Sequence, residues 1–116
     1  MTTDNLITYA DFQKVEIRAG RIVECRPFPE AHKPACRLLI DFGPGTGIKR
    51  SSAQITEHYR PGDLEGKMIM AVVNFPPKQI GPFISEVLVL GFPDQNEKVI
   101  LAVPDKPGIE PGARLF

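Results

Sequence analysis

Residues 71–91 read AVVNFPPKQIGPFISEVLVLG, two apolar runs held apart by a segment with consecutive prolines. Nothing else in the chain limits its fold as much. Met68 to Val73 before the segment and Val87 to Leu90 after it both read as buried strands. Pro76 and Pro77 lack an amide hydrogen and hold φ fixed, so Asn74 to Phe83 cannot continue the ladder of the first strand. The chain must leave a sheet, present a stiff loop bearing Phe75, Lys78, Gln79 and Phe83, and return.

The rest of the sequence is cut in the same way. Twelve prolines and ten glycines divide 116 residues into many short elements, and the whole chain, 1–116, reads as one domain long enough to bury a core. Glu16 to Arg26 is a strand in which Gly20 marks an expected bulge, a bend of the kind barrel strands make. ACRLLIDF alternates: Cys36, Leu38, Ile40 and Phe42 point one way, Ala35, Arg37, Leu39 and Asp41 the other. GPGTG is a turn leading into IKRSS, and AQITEHYRPGDLEGK holds one short helix expected to end near Tyr59, before Pro61-Gly62. Lys98 to Val103 is the final clear strand. Short strands at this spacing argue for a sandwich or small barrel. The small helix between the third and fourth strands selects a five-stranded, all-β OB-type barrel with extended terminal segments.

Composition excludes more than it assigns. Fourteen basic and fourteen acidic residues cancel, so any role with nucleic acid rests on local charge. The opening segment has no apolar leader core and no stretch approaches a membrane span, which makes the cytoplasm the expected compartment. Cys25 and Cys36 would face each other if their strands pair in a hairpin turning near Glu30 and Ala31. In a chain without an export signal, two small buried thiols are expected rather than a disulfide. His32 and His58 lie far from each other and from any CxxC pair, so no metal site is expected, and nothing points to a cofactor. GPGTGIKRS fails as a phosphate loop because Ile48 separates Gly47 from Lys49, and Gly66-Lys67 is followed by Met68 where Ser or Thr is needed. Ser51 and Ser52 lack a nucleophile elbow. Asp63, Glu65, Asp94 and Glu97 sit among turn residues. The expectation is a protein that binds and does not catalyse.

ADFQKVEIRAGRIVE, with Asp11-Phe12, Lys14, Ile17-Arg18, Gly20 and Ile22, resembles the opening of the tRNA-binding OB domain of methionyl-tRNA synthetase appendages and free-standing tRNA-binding proteins. FPEAHKPACRLLIDFG is similar to that family's turn into its second strand, with Phe28 in place of its histidine and His32 in place of its aspartate. Ile55, Tyr59, Pro61, Leu64, Gly66 and Lys67 keep its pattern, the double-proline loop matches its Asn-Leu-x-Pro-Arg-Lys segment at Asn74, and Ser85 its serine. The chain departs from the family where SSAQIT puts Gln54 in place of a glycine and SEVLVLG puts Glu86-Val87 in place of Gly-Met. Those departures, with VVNFPP, resemble the CsaA branch, homodimeric chaperones associated with bacterial protein export. The resemblance implies binding of unfolded or preprotein segments on an OB fold, with structure-specific tRNA binding as the alternative.

Two residue sets follow. Phe75 and Phe83 would offer apolar contact to a peptide, with Lys78 and Gln79 holding carbonyls or phosphates; the competing reading is that both phenylalanines plug the barrel end. For RNA, Lys14 to Arg50 carries eight Lys/Arg against four Asp/Glu, whereas Glu86 to Phe116 carries three against five. Arg18, Arg37, Lys49 and Arg50 fall on strands expected at the front of the barrel and, with Ser52, Asn74, Lys78 and Ser85, make the RNA-binding set. With no Trp and only Tyr9 and Tyr59, base stacking is poorly served.

Both chain ends are apolar. Leu6, Ile7 and Tyr9 precede the first strand, and Ile109, Leu115 and Phe116 lie in a tail stiffened by Pro104, Pro107 and Pro111. Leaving such side chains in water forgoes roughly 1.5–3 kcal/mol each. A homodimer in which each subunit's ends cover the other is the expectation, and a tail folded back on its own barrel is its rival.

Overall fold

The computed structural model describes residues 5–28 and 35–116. Five strands form one antiparallel sheet in the order β3-β2-β1-β4-β7: β1 is Ile17–Pro27, β2 Cys36–Asp41, β3 Ile48–Ala53, β4 Met68–Val72 and β7 Leu88–Val89. Two further hairpins stand outside it, β5 (Lys78–Ile80) with β6 (Phe83–Ser85), and β8 (Gly91–Pro93) with β9 (Val99–Leu101). The sheet curls into a nearly closed OB-like barrel. Its ends meet where the Glu86 amide donates to the Arg50 carbonyl at 2.8 Å and Ser51 Oγ donates to the Val87 carbonyl at 3.0 Å. The second bond satisfies a serine that is otherwise sealed in the interior.

The alternation of β2 sends Cys36, Leu38 and Ile40 inward, where they meet Ile22 and Ile69, with Phe42 following just past the strand. Phe42, Ile22, Leu38, Ile40, Leu64 and Ile69 are almost wholly buried, each worth about 1.5–3 kcal/mol. Gly20 has a different job from the one its position suggests. The register irregularity of β1 falls between Ile22 and Glu24. A Cβ at Gly20 would lie 2.5 Å from the Phe42 ring and 2.6 Å from Ile40, so glycine is needed there because the strand passes under the core's largest side chain.

The helix between β3 and β4 is α3, Pro61–Leu64, beginning where it was expected to have ended. Thr56 to His58 form only a turn. Proline suits the first helical position because its missing N–H would be unpaired there, and Asp63 accepts from the Arg60 amide at 3.1 Å. The N-terminal segment is not wholly extended either. Thr8 and Asp11 cap each other's amides and wind Tyr9–Gln13 into one helical turn, α1. Gly43–Thr46 (α2) tightens the expected GPGTG turn into a helical one.

Cys25 pairs with Leu38 and Cys36 with Pro27, so the thiols are diagonal neighbours instead of directly opposite; both are buried and free. Burial and the adjacent Cys36 thiol push Cys25 up to about 12. The hairpin turn at Glu30 and Ala31, and His32 with it, lie outside the described residues. No helix in the described residues is long and apolar enough to cross a membrane.

Candidate ligand-binding groove

After β4 the two prolines end the ladder as expected, but the segment beyond them is no open loop. Lys78, Gln79 and Ile80 pair with Ser85, Ile84 and Phe83, so the chain builds a separate small hairpin beside the barrel. Two anchors mount it. On one side Asn74 accepts from the Glu16 amide at 3.0 Å and donates to the Lys14 carbonyl at 2.7 Å, tying the start of the excursion to the foot of β1. On the other, Phe83 packs on Phe28, ring centroids 5.3 Å apart, with Ala35 and the flank of Ile80. Phe83 is therefore buried and serves as the peg of the hairpin, whereas Phe75 stays half exposed. Gln79 braces the turn through the Gly81 carbonyl.

Between the hairpin and the barrel wall runs a groove of about 740 Å³. Ser52 and Gln54 from the end of β3, and Val87 and Leu88 from the approach to β7, form one side. Phe75, Pro76, Lys78, Gln79 and Ile80 form the other, with Ala35, Ser85 and Glu86 completing the lining. Among the described residues the charged groups of the lining are one cation, Lys78, and one anion, Glu86.

A polar row leads across the strands into this groove. Arg37 is opposite Ser52 on neighbouring strands, the Ser52 amide donates to Ser85 Oγ at 3.2 Å, and Ser85 is opposite Lys78. The Arg37 guanidinium lies 5.1 Å from the Phe28 centroid and 6.0 Å from that of Phe83, and its buried Nε has no partner among the described residues. Arg50, 5.8 Å from the same Phe83 ring, is in contact with Glu86.

The structure thus brings together Phe75, Lys78, Gln79, Phe83, Arg37, Arg50, Ser52 and Ser85. It leaves three of the sequence-derived RNA set apart. Arg18 donates to Glu16 at 2.8 Å and to the Gly112 carbonyl at 2.7 Å, holding the C-terminal tail. Lys49 lies on the alternate face of β3 from Arg50, half buried opposite Ile40. Asn74 spends both ends of its amide on the anchor just described. Sequence reasoning overlooked Phe28 as the seat of Arg37, and Gln54, Pro76, Ile80, Glu86 and Leu88 as lining. Glu86 had a signal: it is the single charged residue between Phe83 and Leu90 in a stretch otherwise apolar but for Ser85.

The tail runs back along its own β1. Gly112 donates to the Ala19 carbonyl at 2.8 Å, Ala19 to Ala113 at 2.9 Å, and Leu115 to Ile17 at 2.9 Å. Tyr9, Leu115 and Phe116 gather beside α1, where Arg114 donates to the Gln13 carbonyl at 2.7 Å. Even so, Leu6, Ile7, Tyr9 and Phe116 remain strongly exposed, and Ile109 and Leu115 more than a third so.

Residues 17–114 match the family described as "Putative tRNA binding domain". The methionine–tRNA ligase of Thermotoga maritima is 35% identical over 111 residues, covering 96% of this chain and 17% of the ligase; that of Parabacteroides distasonis is 29% identical over 111 residues, 94% and 16%. The chain spans about a sixth of the length of these relatives. Among solved structures, the CsaA chaperone protein of Picrophilus torridus superposes with a TM-score of 0.89 at 54% identity, over 96% of this chain and 100% of that one. Chaperone CsaA of Bacillus anthracis gives 0.88 at 44%, over 96% and 99%. With a barrel of this topology and near-complete coverage in both directions, the chain belongs to the tRNA-binding-domain family, as a member of CsaA type.

Proposed function

We propose that this chain is a non-catalytic, CsaA-like chaperone that holds unfolded or preprotein segments in the groove between the β5–β6 hairpin and the barrel, in the cytoplasm, in the service of protein export. One observation carries the reading: among the described residues the lining is mainly apolar and its charges balance, one cation against one anion. An extended polypeptide meets such a surface without having to bring charge of either sign, and a pegged hairpin loses little entropy in binding it. The row from Arg37 to Lys78 favours a second reading, structure-specific binding of tRNA along its phosphates, in keeping with the family match. The exposed Leu6, Ile7, Tyr9, Leu115 and Phe116 support a homodimer, which would place two grooves on one particle and let a long client gain from both.

A paired assay tests the reading. Suppression of aggregation of an unfolded client, and a gel shift with tRNA over a salt series, are measured on the same preparation. The chaperone reading expects client protection that survives salt; binding of tRNA alone, with no effect on the client, replaces it by the second reading. Sedimentation addresses the dimer, for which a monomer at micromolar concentration is the refuting result.

A further inference from the structure

The side chain of Glu86 is placed with unusual economy. Its Oε1 accepts from the Arg50 amide at 3.0 Å and lies 3.5 Å from Arg50 Nε, while its own amide donates to the Arg50 carbonyl at 2.8 Å. Glu86 is among the residues that line the groove with Lys78, and Arg50 stands over the Phe83 peg. One negative charge thus lies against Arg50, on a residue that shares the groove with Lys78. A phosphate drawn in by Lys78 and Arg50 meets that charge; the uncharged backbone of a polypeptide does not.

We propose that Glu86 sets the ligand class of the groove: held against Arg50, its carboxylate disfavours a polyanion and leaves an uncharged polypeptide unpenalised. Selection of this kind works by a cost imposed on the wrong ligand instead of a gain for the right one. The proposal rests on the reading that the groove is the ligand site. The position of Glu86 depends little on its charge, because the neighbouring chain is fixed by bonds that do not use the carboxylate: Glu86 amide to Arg50, Ser51 Oγ to Val87, and Ser52 amide to Ser85 Oγ.

The test is Glu86→Gln in the full chain. A glutamine keeps an oxygen for the Arg50 amide and removes the charge, while its second oxygen becomes an N–H donor, so the salt slope, which follows charge, is the deciding readout. Affinity for unfractionated tRNA should rise about three- to tenfold at low salt. Its dependence on log salt should steepen by about 0.7–0.9, the signature of one more phosphate contact. Affinity for a reduced, carboxamidomethylated unfolded polypeptide should stay within about twofold. Adding Arg50→Gln should abolish the gain. Unchanged tRNA affinity and slope, or an equal rise for both ligands, overturns the proposal and leaves Glu86 as a clasp of the barrel. A companion protein with Arg37, Arg50 and Lys78 all changed to glutamate separates the two levels. If it loses tRNA while Glu86→Gln changes nothing, only the role of Glu86 falls. If it binds both ligands as the parent does, the groove itself is the wrong site and the proposal falls with it.

Discussion

The described residues form two apolar clusters of very different size, and they do different work. The larger fills the barrel with Ile22, Leu38, Ile40, Phe42, Leu64, Ile69 and their neighbours; the smaller is Phe28, Ala35 and Phe83 with the flank of Ile80. The chain passes between them repeatedly: between Cys25 and Phe28 at the exit of β1, between Ala35 and Cys36 at the entry to β2, and between Phe83 and Val87 after β6. The large cluster holds the fold. The small one holds the groove, because without Phe83 in its socket the β5–β6 hairpin keeps its own three residue pairs and polar links at Asn74, Ser85 and Glu86, with no apolar peg among the described residues. A binding surface is thereby hung on the barrel by a mount that can fail without the barrel failing.

That division is open to damage experiments. Leu38→Ala should lower global stability by about 2–5 kcal/mol in chemical denaturation, since the void opens in a close-packed interior. Phe83→Ala should cost less, about 1–2 kcal/mol, because the hairpin can open locally while the barrel persists. Its signature is loss of amide protection confined to 78–85, together with loss of ligand. Equal global costs for the two variants would mean that the clusters are one cooperative unit. The thiols give the same comparison chemically. Cys25, pushed up to about 12, and Cys36 both belong to the large cluster. They should resist alkylation at neutral pH in the parent and in Phe83→Ala, and become reactive under conditions that unfold the barrel.

Two smaller effects sharpen the boundary. Asn74→Ala removes both bonds of the second anchor and should cost about 1–2 kcal/mol, with deprotection again limited to the excursion. On the far side, the Lys98 amide, His58 and the Asn96 amide hold the Asp94 carboxyl below its ordinary value of 3.8. A lowered folded value stabilises fully above the ordinary one and less as pH falls through the folded one. Asp94→Asn should therefore be slightly less stable at neutral pH, with the gap closing below about pH 4. A change in ligand binding by that variant would show that the two sides communicate.

Strand alternation made the barrel legible, since Cys36, Leu38 and Ile40 could face the core in only one register. Helix placement was less so, because Pro61 ends an apolar pattern as readily as it opens a helix, and the capping by Asp63 decided it. Gly20 was read by its backbone freedom, whereas its cause is Phe42, more than twenty residues away. The site divided along the same line. Phe75, Lys78, Gln79 and Phe83 were legible because the prolines isolate them, and Arg37, Arg50, Ser52 and Ser85 came from the charge pattern and the family resemblance. Gln54, Leu88 and Phe28 enter only through closure of the barrel, which no local pattern reports. Arg18 and Lys49 look like their neighbours in sequence, and only packing shows one gripping the tail and the other on the opposite face of its strand.

The pairing of Ile17 and Ala19 with residues 112–115 joins positions almost a hundred residues apart. During synthesis the side of β1 at Ile17 and Ala19 that faces away from β4 therefore stays unpaired until residues 112–115 have left the ribosome. For that interval the protein is itself an unfinished sheet with an open edge, the kind of surface onto which other nascent chains can add. A protein proposed to shelter incomplete polypeptides passes through the condition of its clients, and its own tail is what ends it.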